Sequence, residues 1–152
     1  MMLRNILALA IVGAGLARAA AVTSEISSGW TLRLQTGLGD AGTVISQPGY
    51  NTAGWYPITA PCTVMAGLLT NNVYTNVFFG TNLQAVPDLT TPNWWYRDQF
   101  VAPTNSGGQF WLRFKGIAYR AKIWVNGTQV FDGNDYTALA AGPGQLLDRF
   151  LQ

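Results

Sequence analysis

The chain has 152 residues, of which 49% are hydrophobic and 11% charged, with nine Lys and Arg, seven Asp and Glu, and no His. This length corresponds to about one domain, and the low charge content excludes a disordered tail, a coiled coil or a nucleic-acid-binding arm. The lack of His excludes a Ser-His-Asp or Cys-His catalytic arrangement within the chain and removes the commonest metal ligand. The composition indicates no nucleic-acid partner, and we expect no cofactor and no metal site, with calcium binding left open.

Residues 1–19 have the layout of a secretory signal peptide: a basic start, an apolar run over residues 6–16 and a small-residue pattern at 17–19. The run is shorter than the about 20 residues that span a bilayer. We therefore expect secretion, with no membrane association after cleavage. Cleavage after Ala19 is favoured over cleavage after Ala21, and an uncleaved anchor or a buried helix is the alternative.

Removal of this leader changes the charge balance. Arg4 and Arg18 lie within it, so seven basic residues would face seven acidic ones in the mature chain. A neutral chain rich in aromatic residues suits a neutral or mildly polar ligand better than a polyanion.

Cys62 is the only cysteine, so the chain contains no internal disulfide. A lone Cys in an apolar segment is more often a small buried hydrophobic residue than a reactive thiol. We favour the buried role.

The first part of the mature chain combines short strands with one helix. Strict alternation of apolar and polar residues predicts a strand over 30–35, and a short strand is also predicted at 43–46. A strand at 55–58 is confined to an edge or an end of its sheet by Pro57. Thr63 is placed to cap a helix over residues 64–69, the one helix that the sequence predicts with clear signals.

The second part begins with a long irregular segment over residues 73–92, which we expect to be ordered because it carries paired aromatic residues. Strands follow over 94–101, 109–116, 119–125 and 128–131, the last two joined by Asn126-Gly127, the strongest short-range hairpin signal. Few helices and frequent turns predict an all-β antiparallel sandwich domain over residues 20–132. Residues 133–152 form a divergent tail without alternation, in which 145–151 are predicted as one helical turn.

Aromatic side chains are better candidates for function than ionisable ones. Most acidic residues fall at turns, where Asp is common for backbone reasons, and no pair has a spacing typical of the two carboxylates of a glycosidase. An aromatic ring can instead stack on the apolar face of a sugar. For any single Trp a core role is favoured over ligand binding, whereas for Phe78 and Phe79 the two roles are balanced because the segment is irregular.

Asn126-Gly127-Thr128 is a sequon for N-linked glycosylation. It coincides with the predicted hairpin turn, which accounts for the Asn and the Gly without any glycan. Both roles are compatible, since turns are exposed and the chain is predicted to be secreted.

Several motifs occur in a characteristic order: Gly54-Trp55-Tyr56-Pro57, Phe78-Phe79-Gly80-Thr81-Asn82-Leu83, Pro92-Asn93-Trp94-Trp95-Tyr96-Arg97 and Ile123-Trp124-Val125-Asn126-Gly127. Over about residues 29–131 they resemble the N-terminal domain of the secreted exo-β-D-glucosaminidases of glycoside hydrolase family 2, the fungal type in particular. The resemblance implies a galactose-binding-like jelly-roll β-sandwich that precedes an immunoglobulin-like domain and a catalytic TIM barrel. The barrel would carry the acid/base Glu and the nucleophile, so this chain would contain no catalytic residue.

The same resemblance implies contact with chitosan oligosaccharides, which such enzymes cut from the non-reducing end. The candidate sugar-contact residues are Phe78, Phe79, Asn82 and Trp94. The family usually has Asp-Pro where this chain has Asn76-Val77, and residues 133–152 do not match the closing strands, so we expect a sandwich that is incomplete at its C-terminus. The partners implied are a glucosamine-containing glycan and the catalytic domain of the parent enzyme.

The alternatives belong to other classes. One is a free-standing carbohydrate-binding module, another is a fragment of a β-mannosidase or β-galactosidase relative, and a third is a fragment that does not fold stably.

Overall fold

The computed structural model describes residues 23–101, 110–114, 120–133 and 145–149. The elements within these ranges are β1 Trp30–Leu34, α1 Gly42–Ile45, β2 Tyr56–Ile58, α2 Val64–Thr70, a 3-10 helix Asn82–Ala85, β3 Trp94–Arg97, β4 Phe110–Phe114, β5 Ala121–Val125, β6 Thr128–Gly133 and β7 Gln145–Arg149. The predicted leader lies outside the described residues, as does the predicted tail apart from Gly133 and β7. The dominance of strands confirms the all-β class.

The first sheet has the strand order β2-β1-β3, and both pairings are antiparallel. Leu32 lies at its centre, opposite Tyr56 on one side and Tyr96 on the other, and is fully buried. Pro57 lies in β2 at the edge of this sheet, as its missing N–H requires.

Helix α2 is the predicted capped helix. The hydroxyl of Thr63 accepts a hydrogen bond from the backbone N–H of Ala66 at 3.2 Å, which satisfies one of the free N–H groups of the first turn. At the other end, Asn71 Nδ2 donates to Pro57 O and to Gly67 O, both at 2.8 Å. The Asn71 amide therefore ties the end of α2 to the edge strand β2.

The hydrophobic core joins these elements. Leu32, Ile58 and Leu68 form its buried centre, and partly buried side chains that include Cys62 and Trp94 pack around it. Full burial of a Leu or Ile side chain stabilises the fold by about 1.5–3 kcal/mol. Burial also raises the pKa of the Cys62 thiol, in agreement with its predicted role as a small hydrophobic residue.

Helix α1 replaces the strand predicted at residues 43–46, so that prediction was wrong. The backbone N–H of Ile45 donates to Ala41 O at 3.0 Å, and the end of the helix is held from β3. There, Arg97 Nε donates to Ile45 O and Arg97 Nη2 to Gln47 O, each at 2.9 Å. A contact over this sequence distance overrides the strand propensity of Thr-Val-Ile.

The β5–β6 hairpin is confirmed. Asn126 and Gly127 have φ values of 48° and 84°, the positive angles that a type I′ turn requires at both central residues. A register shift between Ile123 and Trp124 leaves Val130 without a partner and so marks a bulge in β6, and contacts between α1 and β6 hold the hairpin against that helix.

Two further predictions were wrong in detail. Residues 145–149 form β7, a strand that pairs in parallel with β4, rather than the predicted helical turn. Strand β3 ends at Arg97, four residues before the predicted end, where Asp98 Oδ1 accepts the backbone N–H of Gln99 at 2.7 Å and removes that donor from the ladder. Among the described residues, no helix has the length and apolar character needed to cross a membrane.

Candidate functional site

The most exposed aromatic side chains of the described residues lie in the segment from Asn76 to Ala85, called the phenylalanine loop below. Phe78 is 84% exposed and Phe79 is 79% exposed, whereas the preceding Val77 is 3% exposed. Val77 therefore anchors the loop while the two rings that follow face solvent. Leu83, 53% exposed, adds a third apolar side chain that the sequence did not single out.

Hydrogen bonds within the loop fix its shape. The backbone N–H of Phe79 donates to Asn76 O at 3.0 Å, and that of Asn82 donates to Phe79 O at 3.2 Å. Asn76 adopts a φ of 52°, in the left-handed region that Asn tolerates better than most residues. The rings are thus displayed by a turn and a 3-10 helix rather than packed into the core.

The chemistry of this loop is that of binding. No residue from 76 to 85 carries an ionisable side chain, so the loop offers no general acid, general base or counter-ion. Its exposed ring faces can cover apolar surface such as the face of a pyranose.

Asn82, predicted as the polar contributor to sugar contact, is engaged inside the loop. Its Nδ2 donates to Asn76 O at 2.9 Å, next to the bond that Phe79 makes to the same carbonyl. The side-chain amide therefore closes the loop that carries the rings. No sequence pattern indicated this bond, because it depends on the turn at Asn76.

Trp94 lies in a different environment from the phenylalanines. It is half-buried in β3 and packs against the core of Leu32, Ile58 and Leu68, and its indole N–H donates to Leu89 O at 3.2 Å. These contacts are those of a core residue, the role that the sequence favoured for any single Trp. The described contacts do not bring Trp94 together with the phenylalanine loop.

A turn at Asp88, whose carboxylate accepts several hydrogen bonds, lies between the loop and β3. Asp88 Oδ1 accepts hydrogen bonds from the backbone N–H of Thr90 at 2.8 Å and from its hydroxyl at 2.6 Å, and Asp88 Oδ2 accepts one from the hydroxyl of Thr91. The hydroxyls of Thr90 and Thr91, followed by the Thr90 N–H, hold the pKa of the Asp88 carboxyl well below its usual range. The Asp-x-Thr-Thr pattern, which favours such turns, was a signal available in the sequence.

Two other described aspartates also have local partners. Asp40 accepts the Tyr50 hydroxyl at 2.9 Å, and Asp132 lies 3.1 Å from Lys122 and 3.5 Å from Arg120. Lys122 first, and Arg120 after it, lower the pKa of the Asp132 carboxyl. Across the described part of the chain, no group of three or more His, Cys, Asp and Glu side chains could hold a metal ion.

Asn126 lies apart from the loop, at the tip of the β5–β6 hairpin. Its side chain is exposed, and the N–H of the next residue, Gly127, donates to Ser46 Oγ at 2.9 Å. The sequon is thus part of an ordered turn.

Comparison with known proteins defines the class of this domain. Residues 30–138 match the family model described as "Glycosyl hydrolase 2 galactose-binding domain-like". The chain belongs to this family, in agreement with the resemblance of its motifs.

Several of the relatives that match this chain are exo-β-D-glucosaminidases. The exo-β-D-glucosaminidase of Amycolatopsis orientalis is 46% identical over 89 residues, which are 57% of this chain and 8% of the relative. That of Arthroderma benhamiae is 36% identical over 110 residues, 70% of this chain and 12% of the relative. The crystal structure of the exo-chitosanase of Amycolatopsis orientalis matches with a TM-score of 0.55 and 32% identity, over 69% of this chain and 12% of that one.

The chain therefore spans only about a tenth of these relatives. The similarity covers their N-terminal galactose-binding-like domain, as expected for a non-catalytic domain.

Proposed function

We propose that the chain is the N-terminal, non-catalytic domain of a secreted exo-β-D-glucosaminidase. The parent enzyme would hydrolyse chitosan oligosaccharides from the non-reducing end and release glucosamine. Its acid/base and nucleophile would lie in a catalytic domain outside these 152 residues. The observation that carries this proposal is the similarity to exo-β-D-glucosaminidases of two organisms within one domain family.

In this proposal the phenylalanine loop forms one wall of the sugar-binding cleft. The exposed rings of Phe78 and Phe79 would cover a pyranose face, and Asn82 would hold the loop in shape through Asn76 O. The loop contains no carboxylate, so the ammonium group of glucosamine would find its counter-ion on the catalytic domain.

The genomic DNA beyond the codon of Gln152 tests the role in a parent enzyme. We expect a reading frame, in phase or one frameshift away, that encodes an immunoglobulin-like domain followed by a TIM barrel. If neither DNA strand around the locus encodes these two domains, the proposal is contradicted and an independent module is favoured.

Secretion is the second component of the proposal, and it depends on the leader over residues 1–19. Expression of the chain in a secreting host, followed by N-terminal sequencing of the protein in the medium, should give Ala20 as the first residue. Retention in the cytosol with Met1 intact would contradict it.

A free-standing carbohydrate-binding module is the second candidate, favoured by the exposure of both phenylalanine rings. Retention of the 152-residue chain on insoluble chitosan measures this function. If the loop binds sugar by itself, Phe78→Ala with Phe79→Ala should reduce retention at least tenfold, the loss that about 1.4 kcal/mol produces.

Phe100→Ala is the matched control, because Phe100 is 50% exposed but lies outside the loop. An equal loss of retention in the control and in the loop variant would exclude the loop as the binding surface. A folded chain that is not retained at all would exclude the free-standing module and leave the role in a parent enzyme to be decided by the locus.

A further inference from the structure

The sequon Asn126-Gly127-Thr128 has no part in the sugar-binding proposal, and its three residues differ in their surroundings. Gly127 is half-buried, whereas Asn126 and Thr128 are exposed. The hairpin therefore presents the two residues that define the sequon to solvent and turns its middle residue toward the protein.

The contacts of Gly127 explain this division. Its N–H donates to Ser46 Oγ at 2.9 Å, and a Cβ added at Gly127 would lie 2.1 Å from Gln47 Nε2 and 3.2 Å from Thr43 O. With its φ of 84°, this position takes Gly at low cost and other residues only with strain. Helix α1 and the residues after it thus support the inner side of the turn and leave its outer side free.

We propose that Asn126 is the acceptor of an N-linked oligosaccharide when the chain passes through a secretory pathway with oligosaccharyl transfer. The donor would be a lipid-diphosphate-linked oligosaccharide. A bond forms between Asn126 Nδ2 and the anomeric carbon, the bond from that carbon to the diphosphate oxygen breaks, the amide proton passes to solvent and the lipid diphosphate leaves. The modification rests on the proposed secretion but not on any sugar-binding function.

The position gives the glycan a physical role. Strands β5 and β6 form a two-stranded sheet, and within the described residues neither strand pairs on its outer edge. Unpaired edges invite association with other chains, and a bulky hydrated glycan at the tip hinders such an approach. The glycan would therefore keep this hairpin soluble.

Cell-free translation of the full 152-residue chain in the presence of endoplasmic-reticulum microsomes tests the proposal. We expect one slower-migrating band that an amidase specific for N-glycans removes, with Asn126 converted to Asp in the released peptide. Asn126→Gln and Thr128→Ala should each abolish the band, and the two variants remove different halves of the sequon. Thr128→Ser and Asn93→Gln are controls that should keep it, because the first preserves a hydroxyl at the third position and the second changes an exposed Asn outside a sequon.

Translation is carried out with the native leader and, in parallel, with an established secretion leader in place of residues 1–19. A glycosylated product with the second leader alone would support the site and contradict the proposed secretion signal. Import into microsomes, shown by protection from protease, without a glycan at Asn126 would overturn the inference. Because the readout is gel mobility and peptide mass, a variant that folds poorly still gives a result.

Discussion

Gly42 occupies the point where helix α1 meets the hairpin. It is buried, and a Cβ at this position would lie 2.3 Å from Cε2 of Trp124, whose ring also packs against Trp95 with 5.1 Å between centroids. Trp124 cannot move away easily because Trp95 supports it from β3. The absence of a side chain at Gly42 is therefore what allows α1 to lie against β5.

We predict that Gly42→Ala destabilises the protein by about 1–3 kcal/mol, as overpacking of a filled site does. Urea denaturation followed by tryptophan fluorescence measures the change. Gly39→Ala is the matched control, since a Cβ there meets nothing within 4 Å. Equal stability of the two variants would show that the Trp124 contact does not constrain α1.

Tyr96 gives a second test at a single residue. Burial, with a smaller contribution from Cys62, raises the pKa of the Tyr96 phenol to about 12. The folded state holds this proton more tightly than the unfolded chain, whose pKa is about 10. The contribution to stability is therefore complete below pH 10 and is lost as the pH rises from 10 to 12.

The ultraviolet absorbance of tyrosinate measures this titration. Tyr96→Phe should remove one late-titrating tyrosine and flatten the loss of stability between pH 10 and 12. An unchanged titration curve in that range would show that the Tyr96 hydroxyl is solvated.

At the scale of elements, the turn at Asp88 connects the phenylalanine loop to the central sheet. Its carboxylate is bound by Thr90 and Thr91, and these bonds depress the pKa of the carboxyl in the folded state. The stability that they provide is therefore present above the unfolded pKa of about 3.9 and is lost as the pH falls below it.

We predict that Asp88→Asn lowers the stability at neutral pH, where the bonds to the carboxylate contribute, and reduces the further loss of stability on acidification below about pH 4. Thermal unfolding at a series of acidic pH values measures this effect. Thr90→Val, which removes the largest cause of the shift, should raise the Asp88 pKa measured by carboxyl-carbon NMR. A normal Asp88 pKa in the unmodified chain would contradict the described turn.

Elements with local signals were predictable from the sequence. The Thr63 cap and the Asn126-Gly127 turn involve residues within a few positions of one another, so their sequence patterns already specify the geometry. The strand around Leu32 was likewise indicated by alternation.

Elements that depend on distant partners were not predictable. Helix α1 is fixed by Arg97, 52 residues from Ile45 in sequence, and β7 forms only by pairing with β4. Local residue preferences carry no information about such partners. The corrections at residues 43–46 and 145–149 share this physical cause.

The candidate site was predictable in part for the same reason. Irregular sequence with paired aromatics indicated a loop, and Phe78 and Phe79 are indeed exposed. The amide contact from Asn82 to Asn76 O required the turn at Asn76, and the core position of Trp94 required the packing of three separate elements. Neither contact has a sequence signature.

At the scale of the whole molecule, the first sheet and the hairpin are joined through α1. Arg97 of β3 binds the end of α1, and Ser46, directly after α1, binds the hairpin turn. This connection explains how a four-residue helix orders two sheets.

The most direct test of the claim that the catalytic groups lie outside this domain is an assay of glucosamine-dimer hydrolysis by the purified 152-residue chain. A complete exo-β-D-glucosaminidase from a related organism serves as the positive control, with released glucosamine measured over time. We predict no release above the protein-free rate, because the chain matches only the galactose-binding-like domain of its relatives. The contrary result is that the purified chain releases glucosamine and loses this activity when one of its own carboxylates is replaced. That result would contradict the claim that the domain is non-catalytic.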